Sequence, residues 1–162
     1  MCGIGAIIHK TENINNKLYE VLFNLQHRGQ EASGFIVYDN TTNKQYVAKD
    51  FGLVDQNIAK IQKFPGKMGI GHVRYPTHGS ATINEIQPFN THDFSGVSAA
   101  HNGNLTNVKD IAAFLSENDI VLEGTSDSEM ILHLFIYFLK LEAGAIINVN
   151  ETTIENAVKG VF

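Results

Sequence analysis

Apolar positions recur along the chain at spacings that predict its elements. Cys2-Gly-Ile-Gly-Ala-Ile-Ile8 reads as a buried strand, and Leu18, Val21, Leu22 and Leu25 then repeat at helical spacing until Gly29 offers a stop. Gly34-Phe-Ile-Val-Tyr38 and Gln45-Tyr-Val-Ala48 flank the polar run from Asp39 to Lys44, the pattern of a β-hairpin. Lys67 to Tyr75 has strand character up to Pro76, and the polar stretch from Gly79 to Asn90 reads as a loop. Val97-Ser-Ala-Ala-His101 predicts another strand, leading into Asn102-Gly103. Asn107 is placed to cap a helix with Val108, Ile111, Ala112 and Leu115 on one face. Ser126-Asp-Ser-Glu129 has capping-box spacing before the apolar run Met130 to Leu141, so a helix is expected there with Asp127 at its N-terminus. Thr152 to Lys159 predicts a last short helix. Gly160-Val-Phe162 reads as the opening of a strand, so the chain is expected to stop within a domain.

Composition narrows the class of partner. With 162 residues, a net charge of −5 and no Lys/Arg-rich run, the chain suits one globular domain. It offers no broad cationic surface to nucleic acid or anionic lipid. The longest apolar stretch is too short to span a bilayer, and no basic segment precedes an apolar signal core, so a cytoplasmic protein handling a small molecule is expected. A single cysteine excludes an intramolecular disulfide. The seven histidines do not fall at metal-ligand spacing, and no metal site is expected. Gly69-Ile-Gly71 lacks the third glycine of a dinucleotide fingerprint.

Candidate chemistry centres on the cysteine. If Met1 is excised, Cys2 becomes N-terminal, and its α-amino group, titrating near ~7.7–8.0, is nearly matched to a thiol near ~8.5. Amine and thiol then form a nucleophile with its own base. Read alone, a cysteine in an apolar strand is a small buried hydrophobe. Asn102-Gly103 has two readings: a turn dipeptide, or an amide and a backbone N–H converging on the oxygen of a tetrahedral acyl intermediate. Arg74 at a strand end and Asp127 at a helix start are either surface charges or the two groups that grip the carboxylate and ammonium of an amino acid.

Five blocks in order, Cys2-Gly-Ile, Gln26 to Gly34, Gly71-His-Val-Arg-Tyr-Pro-Thr77, His101 to Asn107 and Thr125-Ser-Asp-Ser-Glu129, resemble the class II glutamine amidotransferases. Gln26 to Gly34, Arg74-Tyr-Pro-Thr77 and Gln87-Pro-Phe89 resemble, within that class, the amidophosphoribosyltransferase family. His78 departs from it, since histidine follows threonine there in the glucosamine-phosphate synthases.

The resemblance implies an α+β fold, the four-layer αββα sandwich of N-terminal-nucleophile hydrolases, with residues 2–162 forming an incomplete glutaminase domain and the phosphoribosyltransferase domain absent. It implies that Cys2 is the nucleophile and that Asn102 and Gly103 form the oxyanion hole. Arg74 and Asp127 would hold the glutamine carboxylate and ammonium, and Thr77, His78, Arg28 and Gly29 would line the pocket. No cofactor is implied for this chain, Mg²⁺ being expected only with the phosphoribosyltransferase domain. Glutamine, that missing domain and copies of the full-length chain are the implied partners. A glutaminase domain serving another acceptor, or a non-catalytic glutamine-binding relative, would share these blocks.

Overall fold

The computed structural model describes residues 1–75, 82–144 and 148–162, and these form two compact units, Met1–Gly103 and Asn104–Phe162. The first contains β1 (Gly3–Ile8), α1 (Asn15–Asn24), β2 (Ala32–Asp39), β3 (Lys44–Phe51), α2 (Val54–Ile61), β4 (Met68–Arg74), β5 (Phe89–Thr91) and β6 (Val97–Ala99). The second contains α3 (Val108–Glu117), α4 (Asp127–Ala143) and α5 (Glu151–Val161). The class is α+β, with antiparallel sheets.

In the first unit the four-stranded sheet runs β1-β4-β2-β3, every pair antiparallel. Its register gathers Gly5, Gly71, Phe35, Val37 and Val73 on one face, because side chains alternate along a strand and paired residues share a side. Helices α1 and α2 cover that face: Ile14, Leu18, Leu22, Phe35, Val37, Val54, Ile61 and Val73 are fully buried in one cluster. Two glycines make room for α1. A Cβ on Gly5 would lie 2.5 Å from Val21 Cγ1, and one on Gly71 would collide with Leu22. The opposite face carries the β5–β6 ribbon, with the Gln87 carbonyl against Gly34, Lys49 over the Phe89 ring and Gln45 bonded to Ser98. Helices, sheet and ribbon therefore stack as three layers within this unit.

The predicted hairpin forms, with longer strands than expected. Its turn is held by Asp39, which accepts from Thr41 N (2.9 Å) and Thr42 Oγ1 (2.6 Å), and by Asn43 in the left-handed region that asparagine tolerates. Helix α2 is not among the expected elements, although Val54, Ile58 and Ile61 recur at helical spacing; its start is also held from a distance, where Gln26 Oε1 accepts from Val54 N at 2.7 Å. The stretch expected as loop is described from residue 82 onward, and there it contains a 3-10 turn (Ile83–Glu85) and β5. β6 ends at Ala99, two residues short of the predicted strand.

In the second unit α3 and α4 enclose Leu115, Met130 and Leu134, beside a cluster of Phe114, Tyr137 and Phe138 rings with centroids 5.1 to 6.4 Å apart. Both expected caps differ from their sequence signature. Neither Asn107 nor Ser126 makes a side-chain capping bond, and Glu129 instead accepts from the N–H groups of Glu123 (2.6 Å) and Gly124 (3.0 Å). The predicted C-terminal strand is also corrected: α5 continues through Gly160 to Val161. Asn150 and Thr153 form a reciprocal capping box at its start, and Gly160 permits close contact with the Phe138 ring, which a Cβ would approach to 2.6 Å. Helical packing on α4 thus outweighs the low helix propensity of glycine. Among the described residues, no helix is long and apolar enough to cross a membrane.

Leu22 seats α1 on the bared sheet, so Leu22→Ala is expected to cost about 2–5 kcal/mol in urea unfolding. Ile8→Ala, at a side chain 79% exposed, should stay within about 0.5 kcal/mol.

Candidate functional site

Cys2 immediately precedes β1, whose first residue, Gly3, pairs with Val73. This register sets the cysteine beside the end of β4, where Arg74 follows. Two side chains then hold Cys2 through its carbonyl oxygen: Arg28 Nε donates at 2.9 Å and Asn102 Nδ2 at 3.2 Å. Arg28 comes from the 3-10 turn Gln26–Arg28 that follows α1. Gln26 closes that turn by donating from Nε2 to the Gly29 carbonyl at 2.5 Å, while its Oε1 caps α2. Gly29 presses against the end of β4, where a Cβ would lie 2.5 Å from the Arg74 carbonyl carbon and 2.6 Å from the Val73 oxygen. Cys2, Arg28, Gly29 and Arg74 are therefore brought together by one turn and one strand end.

Arg74 is oriented by a residue that motif reading passed over. Its Nε lies 3.3 Å from Glu31 Oε2, both side chains being mostly buried, and the Glu31 N–H donates to the Arg74 carbonyl at 3.1 Å. The carboxylate takes the Nε edge of the guanidinium.

Neither Asn102 nor Gly103 has a positive φ, so the dipeptide is not the two-residue hairpin turn that Asn-Gly commonly signals. A Cβ at 103 would fall 2.4 Å from Nε2 at the tip of the His101 ring, which packs against this glycine. The His101 N–H donates to Gln87 Oε1 at 2.6 Å, tying the loop to the segment that enters β5.

Asp127 lies at the first position of α4 in the second unit, where its carboxylate accepts from Leu105 N at 2.9 Å and from Ser128 Oγ at 3.2 Å. Thr77 and His78 lie outside the described residues. Among the described residues, no three His, Cys, Asp or Glu side chains are grouped to hold a metal ion. An apolar concavity of about 300 Å³ walled by Ile8, Ile36, Met68, Ile70 and Phe94 lies elsewhere on the sheet, and none of the site residues lines it.

No protein-family model matches the chain. It is 45% identical over 142 residues to an amidophosphoribosyltransferase of Pseudomonas aeruginosa, covering 86% of this chain and 28% of that protein. It is 36% identical over 167 residues to the amidophosphoribosyltransferase of Schizosaccharomyces pombe, covering 100% of this chain and 31% of that one. Among solved structures, the glutamine phosphoribosylpyrophosphate amidotransferase of B. subtilis complexed with ADP and GMP superimposes over 99% of the chain, with a TM-score of 0.76 and 27% identity. The chain belongs to the amidophosphoribosyltransferase family. It spans about a third or less of these relatives' length and matches their N-terminal part, the glutamine domain of N-terminal-nucleophile hydrolase fold.

In this amidophosphoribosyltransferase relative, Glu31 and Gln87 are the residues that sequence reasoning left without a role. Both lie inside blocks that carried the resemblance. Their contacts reach backbone groups or side chains distant in sequence, which spacing alone does not reveal.

A further feature borders the site. His72 on β4 is 1% exposed and, among the described residues, neither ring nitrogen has a hydrogen-bond partner. Burial pushes its pKa down from 6.5 to about 4, and the Arg74 charge on the same strand adds to the shift. Between these values the unfolded chain binds a proton that the folded chain refuses, so stability is full above about 6.5 and falls as the pH drops toward about 4. Over that window the His72 contribution amounts to about 3 kcal/mol. Urea unfolding across the window should give a flatter profile for His72→Leu than for the parent, and an unchanged slope would assign the titration to other groups.

Proposed function

We propose that the chain is the glutamine-hydrolysing part of an amidophosphoribosyltransferase. The observation that carries this reading is the hydrogen bond from Asn102 Nδ2 to the Cys2 carbonyl, which brings an amide donor suited to an oxyanion hole to the residue bearing the thiol. Removal of Met1 frees the α-amino group of Cys2, which takes the thiol proton as sulfur attacks the side-chain carbonyl carbon of glutamine. The negative oxygen of the tetrahedral intermediate accepts from Asn102 Nδ2 and the Gly103 N–H. The second hydrogen of the Asn102 amide is available for this while the first holds Cys2. Collapse of the intermediate expels ammonia, which leaves with a proton from the α-ammonium group, and forms a γ-glutamyl thioester. Water, deprotonated by the same amine, hydrolyses the thioester to glutamate and regenerates the thiol.

The family resemblance assigns Arg74 to the glutamine carboxylate and Asp127 to its ammonium, and names Thr77, His78, Arg28 and Gly29 as lining. The ammonia acceptor is phosphoribosyl pyrophosphate, aminated to phosphoribosylamine in the first step of de novo purine synthesis by the remainder of a longer protein. Mg²⁺ belongs with that remainder. A cytoplasmic, homo-oligomeric enzyme is the setting we assign. Support comes from the 45% identity with the Pseudomonas aeruginosa amidophosphoribosyltransferase and from the turn and strand end that gather Arg28, Gly29 and Arg74 about Cys2.

In the full-length protein, mass spectrometry should find Met1 removed, and Cys2→Ala should abolish glutamine-dependent phosphoribosylamine formation while sparing the ammonia-dependent reaction. Retained glutamine use in that variant would refute the mechanism. Asn102→Ala is expected to slow thioester formation by roughly 10²–10³-fold in rapid-quench measurements, and an unaltered rate would remove Asn102 from the oxyanion hole.

A further inference from the structure

The loop that carries Asn102 and Gly103 leaves its last strand pairing at Ala99, opposite Phe89. Residues 100–107 belong to no helix or strand, so the orientation of the donors depends on side-chain contacts. One of these comes from Gln87, fourteen residues away, whose Oε1 accepts the His101 N–H at 2.6 Å. Gln87 is itself held firmly. Its carbonyl sits where a side chain on Gly34 would be, Pro88 and Phe89 are buried behind it, and Phe89 opens the β5–β6 ribbon. The Gln87 side chain therefore transmits the position of the four-stranded sheet to the residue preceding Asn102. The His101 ring then abuts Gly103 on the other side.

We propose that Gln87 is a positioning residue for the oxyanion donors, acting through the His101 backbone N–H. This inference rests on the glutaminase reading above. Oxyanion stabilisation depends on donors already aimed at the place where charge develops, and small displacements reduce it steeply. The loop has no ladder to fix the His101 N–H, and Gln87 supplies the acceptor that a neighbouring strand would otherwise provide. Glutamate at position 87 retains an acceptor oxygen at the same reach, whereas alanine removes it.

The test uses the full-length protein and compares the parent with Gln87→Ala, Gln87→Glu, Asn102→Ala and Gln87→Ala combined with Asn102→Ala. Glutamine hydrolysis and the ammonia-dependent reaction are assayed side by side. Gln87→Ala is expected to lower kcat for glutamine by about tenfold with KM within about twofold and the ammonia-dependent rate unchanged. Gln87→Glu should recover to within about threefold of the parent. In the Asn102→Ala background the Gln87 substitution should cost less than about twofold, because the donor it positions is gone. The inference is overturned if Gln87→Ala slows the Asn102→Ala enzyme by the same factor as the parent, if its effect is confined to KM, if Gln87→Glu is as slow as Gln87→Ala, or if the ammonia-dependent rate falls in step. A slow Asn102→Ala enzyme beside an unaffected Gln87→Ala enzyme would sink the positioning role alone. An unaffected Asn102→Ala enzyme would sink the oxyanion assignment beneath it.

Discussion

Two side chains from distant parts of the chain, Arg28 and Asn102, donate to one backbone oxygen, that of Cys2. Residues at a chain start fray unless they are tied down, since fixing one backbone position costs about 1–2 kcal/mol. A neutral hydrogen bond contributes about 0.5–1.5 kcal/mol and one from a charged donor about 1.5–3 kcal/mol. The pair is thus sufficient to hold the residue just outside the sheet, where strand pairing begins only at Gly3. Both bonds use the carbonyl of Cys2. They leave the sulfur and the nitrogen, the atoms on which nucleophilic chemistry at this residue would rely, outside the tether.

The tether dictates much of the first unit's construction. Arg28 reaches Cys2 from the turn after α1, and α1 sits low on the sheet because Gly5 and Gly71 present no side chain to it. Gln26 fixes that turn and caps α2 with the two ends of a single amide. On the opposite face, Gly34 admits the Gln87 carbonyl, and Gln87 in turn steadies the loop carrying Asn102. The glycines consequently serve approach distance more than backbone freedom. None of Gly5, Gly34 and Gly71 has a positive φ.

This distinction explains what was legible in the sequence. Elements with their own periodicity, β1, α1, the β2–β3 hairpin, β4, α3 and α4, are readable because the signal lies within the element. Helix α2 has that spacing too, in Val54, Ile58 and Ile61, but its eight residues are shorter than the window over which periodicity is a firm signal. The terminal strand expected at Gly160 is helix, because the glycine answers to the Phe138 ring and not to a chain break. Among the candidate residues, Cys2, Arg28, Gly29, Arg74 and Asn102-Gly103 were found through motif blocks whose local chemistry is recognisable. Glu31 and Gln87 lie inside the same blocks but carry no such local chemistry, because an acceptor directed at a distant group looks, in sequence, like any surface Glu or Gln.

The electrostatics of β4 follow from the same packing. His72 and Arg74 are two residues apart on one strand and therefore project to the same face. A protonated imidazole there would place a second cation near the guanidinium in a poorly solvated setting. Burial keeps His72 neutral down to about pH 4, so Arg74 is the only cation that β4 presents at neutral pH. A mostly buried guanidinium without a carboxylate would itself be costly. Glu31 offsets that cost on the Nε edge, from a backbone position locked to Arg74 by the hydrogen bond between Glu31 N and the Arg74 carbonyl. The strand end therefore carries one positive group, held in place and offset by Glu31.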